Sequence, residues 1–117
     1  MVEKEILTKG GVYLARLDPV KGAEIGKIRP VAILMSQAIL DVTPPLVFIC
    51  PLSSHSDKNF DGLHVKLSAR DNLHVVSFAL IEHCRAIATR RIIQPRLAQL
   101  SEVEVKEITR RLKFMID

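Results

Sequence analysis

"GVYLARLDPVKGAEIGKIRPVAILMS", residues 11–36, sets the architecture, because it holds two apolar runs and the polar connection between them. Residues 11–18 combine apolar Val12, Leu14 and Ala15 with polar Arg16 and Asp18, a strand pattern that Pro19 closes. Residues 30–36 ("PVAILMS") are continuously apolar and read as a second, buried strand. The connection runs to roughly ten residues where tight hairpins use two to five, so it orders more chain than a turn requires and invites a functional explanation. It carries Lys21, Glu24, Lys27 and Arg29 with Gly22 and Gly26, and Pro30 confines Arg29 to extended backbone at the head of the second strand.

Further along, "SQAILD" (36–41) suits a short helical turn capped by Ser36, broken by Thr43, Pro44 and Pro45. "PLVFICPL" (45–52) is a third strand, apolar on both faces, and "SSHSDKNFDG" (53–62) is a loop. "LHVKL" (63–67) alternates, which sends Leu63, Val65 and Leu67 inward and His64 and Lys66 outward; "ARDN" then turns the chain. Residues 74–88 ("HVVSFALIEHCRAIA") read as one long strand bent near His83. Ser101 and Glu104 form a capping-box pattern, and Val105, Ile108, Leu112 and Met115 recur at helical spacing, so the chain ends in an amphipathic helix. The sum is a set of antiparallel strands curled into a small barrel or sandwich and closed by that helix.

With 117 residues, 48% of them apolar, residues 1–117 are expected to form a single domain with a real core. No apolar run reaches the roughly 18 residues of a membrane span, and "MVEKEILTKG" lacks the features of a secretory signal, so a cytoplasmic protein without a membrane partner is expected. Cys50 and Cys84 each sit in apolar surroundings, as reduced, buried thiols would. The net charge of +4 is mild but uneven: four arginines and no acid fall between Arg85 and Arg96, a solvated basic face or a binding surface. The four histidines have no HxH or HxxxH spacing, so neither a metal nor another cofactor is expected. Aromatic residues make up 4% with no Trp, which argues against a base-stacking platform.

In order and spacing, "GGVYLARLDPVKGAEIGKIRPVAILMS", "VFICPLSS", "LIEHCRAIATRRI" and "LAQLSEVEVKEITRRL" resemble the MazF/PemK-type toxin ribonucleases, from Gly10 to the last helix. The resemblance implies an SH3-like antiparallel β-barrel with added helices, a homodimer, and sequence-selective cleavage of single-stranded RNA (mRNA) without metal. The products would carry 2',3'-cyclic phosphate and 5'-hydroxyl ends, and the acidic segment of a MazE-like antitoxin would cover the RNA site. Arg29 stands where the family's "RPV" motif has its catalytic arginine. Ser53, in Pro51-Leu52-Ser53-Ser54, stands where the family usually has Thr, and His83 where it often has Gln.

Such cleavage needs a deprotonated 2'-hydroxyl, stabilisation of the extra charge on phosphorus, and a protonated leaving oxygen. Arg29 offers a permanently charged fork for two phosphate oxygens. Ser53 is a hydrogen-bonder, with nothing adjacent to make it a covalent nucleophile. His83 is the natural general acid or base if it reaches the site, with Glu82 and His55 as alternates. The resemblance also implies RNA contacts from Lys21, Glu24, Lys27, Ser54, His55 and Arg85, the loop folding over the substrate. Two other functions fit the same fold. One is a catalytically weak module that binds RNA or antitoxin; the other, a gyrase poison like CcdB, depends on a C-terminal tryptophan that this chain lacks.

Overall fold

The computed structural model describes residues 5–17 and 28–117. β1 (Gly11–Arg16) and β2 (Ile28–Ile33) pair antiparallel, Val12 opposite Ala32 and Arg16 opposite Ile28, so the two runs of the opening stretch are neighbours. A short helix, α1 (Gln37–Leu40), follows Ser36 and leads to β3 (Leu46–Ser53), which returns along β2. β4 (His64–Leu67) pairs with β5 (Ser77–Leu80), and β5 pairs with the end of β3. β6 (Arg85–Ala88) pairs with the beginning of β3, and β7 (Ile92–Gln99) pairs with β1. α2 (Glu102–Ile116) closes the chain.

Residues 74–88, expected as one strand, form two strands along the same edge of β3. Leu52 pairs with Ala79 and Ile49 with Arg85, so a step of three residues along β3 matches a step of six along the returning chain. A 3-10 turn at Ile81–His83 takes up the surplus, close to the expected bend.

The seven strands run in the order β4-β5-β3-β2-β1-β7, with β6 beside β3. Among the described residues this sheet is open: β4 and β7 are its ends and do not pair, so the expected closed barrel is replaced by a mainly antiparallel sheet with a C-terminal helix. The gap is crossed by single contacts instead of a ladder. Asn72 N–H donates to the Leu97 carbonyl (3.0 Å), and Arg70 forks onto both carboxylate oxygens of Glu104 in α2.

Alternation along the central strands explains why their sequences are apolar throughout. Val12, Ala32, Cys50 and Leu52 face a core shared with Val105 and Ile108 of α2. Tyr13, Val31, Ile33, Val47 and Ile49 face a second core with Leu7, Leu40 and Ile87. A sheet covered on both faces shows little polar alternation. β7 runs against the sequence pattern, because Pro95 inside "IIQPRLAQ" argues against a strand. It is accommodated at the sheet end, where the pairing to β1 jumps from Ala98 to Ile93 across an irregularity containing Pro95. His64, expected to face solvent, is instead 7% exposed, because both its ring nitrogens find polar partners inside.

Candidate functional site

The pairing of β2 with β3 brings two distant sequence motifs together. Val31 is opposite Pro51, and the same antiparallel register continued outward by two residues sets Arg29 opposite Ser53. Arg29 is half-buried in β2, where it pairs with Ala15 of β1, and Ser53 is the half-buried last residue of β3, opposite Phe78 of β5. Both are thus carried on paired strands, which hold a side chain more firmly than a free loop does.

A cleft of about 360 Å³ opens at this point. Arg29, Ser53, Ser54 and His55 line it together with buried Ser77, and Leu52 and Val75 contribute apolar wall. Ser53 Oγ accepts the backbone N–H of His55 (3.1 Å), which folds the chain tightly after β3 and keeps Ser54 and His55 at the mouth, where both are exposed. A serine hydroxyl that accepts one bond still has its own proton to donate. The cleft therefore combines a fixed positive charge, a hydroxyl donor and an imidazole, a set suited to holding a phosphodiester.

The remaining expected residues lie elsewhere. Glu82 and His83 are on the turn Ile81–His83 and do not line the cleft; His83 is exposed, while Glu82 accepts from His64. Arg85 is exposed at the start of β6, opposite Ile49. Lys21, Glu24 and Lys27 lie outside the described residues. Of the basic cluster, Arg96 donates to Thr8 and Gln99, and Arg91 to the carbonyl of Arg16. Val75 and Ser77 carried no signal in the sequence, since only the pairing of β3 with β5 places them here.

Neither thiol lines this cleft. Cys50 is fully buried, and the neighbouring Cys84 together with burial pushes its thiol far above the ordinary cysteine range. Among the described residues, no group of three or more His, Cys, Asp or Glu side chains is arranged to hold a metal ion. No helix among them is long and apolar enough to cross a membrane.

The chain is similar to known proteins in both sequence and fold. Residues 8–116 match the family described as PemK-like, MazF-like toxin of type II toxin-antitoxin system. The endoribonuclease MazF of Staphylococcus saprophyticus is 30% identical over 104 residues, 88% of this chain and 85% of that protein. Among solved structures, MazF from Deinococcus radiodurans superposes with a TM-score of 0.78 at 25% identity, covering 97% of this chain and 98% of that one. The MazE-MazF complex from the same organism gives 0.75 at 25% identity, covering 97% of each chain.

Proposed function

Because the chain belongs to the PemK-like, MazF-like toxin family of type II toxin-antitoxin systems, we propose that it is an endoribonuclease that cuts single-stranded RNA sequence-selectively and without metal. The observation that carries this reading is the cleft in which Arg29 and Ser53 meet. A 2'-hydroxyl attacks the adjacent phosphorus, the P–O5' bond breaks, and the products carry a 2',3'-cyclic phosphate and a 5'-hydroxyl. Arg29 clamps the non-bridging oxygens and offsets the charge that grows on them; Ser53 donates a hydrogen bond to one of them.

Proton transfer falls to an imidazole, the side chain that exchanges protons near neutral pH. His55 stands in the cleft wall and His83 on the neighbouring turn. The pH-rate profiles of His55→Gln and His83→Gln separate them: the variant that flattens one limb of the profile has lost the proton carrier. Lys21, Lys27 and Arg85 supply further phosphate contacts, and Glu24 and Ser54 contact bases. A homodimer in the cytoplasm, silenced by the acidic segment of a MazE-like antitoxin, completes the reading, and the solved MazE-MazF complex supports it.

The test is incubation of the purified protein and of Arg29→Ala with a long single-stranded RNA in excess EDTA. Discrete cuts by the wild type, slowed about a hundredfold to a thousandfold in Arg29→Ala, are expected. Intact RNA with binding retained would contradict the nuclease reading and leave a non-catalytic RNA-binding module.

A further inference from the structure

His64 is buried, and both its ring nitrogens are used. Nδ1 lies 2.8 Å from Ser56 Oγ, and Nε2 lies 3.0 and 2.8 Å from the two carboxylate oxygens of Glu82. An ionised carboxylate only accepts, so Nε2 carries a proton. The Ser56 hydroxyl then donates to a neutral ring or accepts from a charged one, and the chain of bonds holds in either state. Its three members come from three segments: the loop after β3, the first residue of β4, and the turn between β5 and β6. The His64 carbonyl also accepts from Arg111 Nη1 (2.9 Å), which ties the same point to α2.

This chain bears on the cleft through residues 53–56. One end of that segment is held by the pairing of Ser53 with Phe78 and the other by the bond from Ser56 to His64. Between them, Ser54 and His55 face the cleft. We propose that His64 is a positioning residue that fixes segment 53–56 at the cleft, and that Glu82 acts through His64 and not on the RNA. The inference deepens the nuclease reading and rests on it only for its effect on rate. A displacement of about 1 Å in a catalytic loop is enough to cost on the order of a hundredfold.

The test uses His64→Leu, His64→Asn and Ser56→Ala, with amide hydrogen exchange at residues 53–56 of the free protein and kcat and KM on an RNA carrying a mapped cut site. Ser56→Ala removes one hydroxyl from the loop and leaves the buried ring in place. In it and in His64→Leu, exchange at 53–56 is expected to quicken about tenfold or more, and kcat to fall roughly tenfold to a hundredfold with little change in KM. His64→Asn, whose amide falls near the position of Nδ1, is expected to restore protection of the loop. Glu82→Gln, which still accepts from Nε2, should keep more of the rate than Glu82→Ala. Unchanged exchange at 53–56 in both Ser56→Ala and His64→Leu would overturn the positioning role. Equal losses in Glu82→Gln and Glu82→Ala would overturn the indirect role of Glu82. If the wild type cuts no RNA, the nuclease reading fails, and the exchange data still decide whether His64 holds the loop.

Discussion

In the proposed reaction Arg29 and Ser53 contribute different things to one phosphate. The guanidinium brings a charge that no working pH removes, and the hydroxyl brings one short donor whose own oxygen is already anchored by the His55 N–H. Replacing the hydroxyl should therefore cost less than replacing the charge. Ser53→Ala is expected to lower kcat at least about tenfold, and Ser53→Thr to retain activity, as steady-state cleavage of a short RNA would show. Ser53→Ala cutting as fast as the wild type would remove Ser53 from the chemistry. Both residues were singled out in the sequence through the family resemblance, Arg29 in "RPV" and Ser53 in Pro51-Leu52-Ser53-Ser54, and not by local pattern alone. His64 and Ser56 were not. Strict alternation in "LHVKL" sends His64 outward, and only the arrival of Glu82 from the turn after β5 makes its burial affordable.

At the scale of elements, α2 shows how far local chemistry alone can reach. Its start follows from Ser101 and Glu104: the serine hydroxyl accepts the Glu104 N–H (3.1 Å) and the glutamate accepts the Ser101 N–H (2.8 Å). The sequence did not reveal that the same carboxylate also receives the fork of Arg70, whose hydrogen bond, foremost among several causes, pulls Glu104 from the ordinary 4.5 down to about 2. A lowered folded-state pKa favours the native state above the unfolded-state value, and that contribution is lost as pH falls toward the folded one. Glu104→Gln should cost about 1 kcal/mol at neutral pH, allowing for solvent screening of a partly exposed pair. The difference should shrink below pH 4.5 and vanish near pH 2. Denaturant melts of both proteins across that range check this, and a cost independent of pH would exclude the ion pair as its source. β7 lies at the other extreme. Pro95 breaks the strand signal locally, and the segment becomes a strand only because β1 offers an edge on which an irregular pairing is tolerated.

For the whole molecule, the sheet decides where chemistry can occur. Its central strands are covered on both faces, so a substrate as large and charged as RNA can meet them only at strand ends and in the loops leaving them. The antiparallel register of β2 and β3 puts Arg29 and Ser53 at one such end. That the chain is mainly strands and that a helix closes it could be read from apolar periodicity. The open order of the sheet could not, since closure depends on whether β4 and β7 meet, and neither strand's own sequence encodes that contact. The most direct trial is a pair of RNA oligonucleotides that contain the mapped cut site and differ by one 2'-deoxy sugar on the 5' side of the scissile phosphate, incubated with the wild-type protein in EDTA. Cutting of the all-ribose strand to a 2',3'-cyclic phosphate and a 5'-hydroxyl end, with the deoxy strand bound but intact, is the expected result. Equal cutting of both strands, or a requirement for added metal, would contradict cleavage by the 2'-hydroxyl at a site built on Arg29 and Ser53.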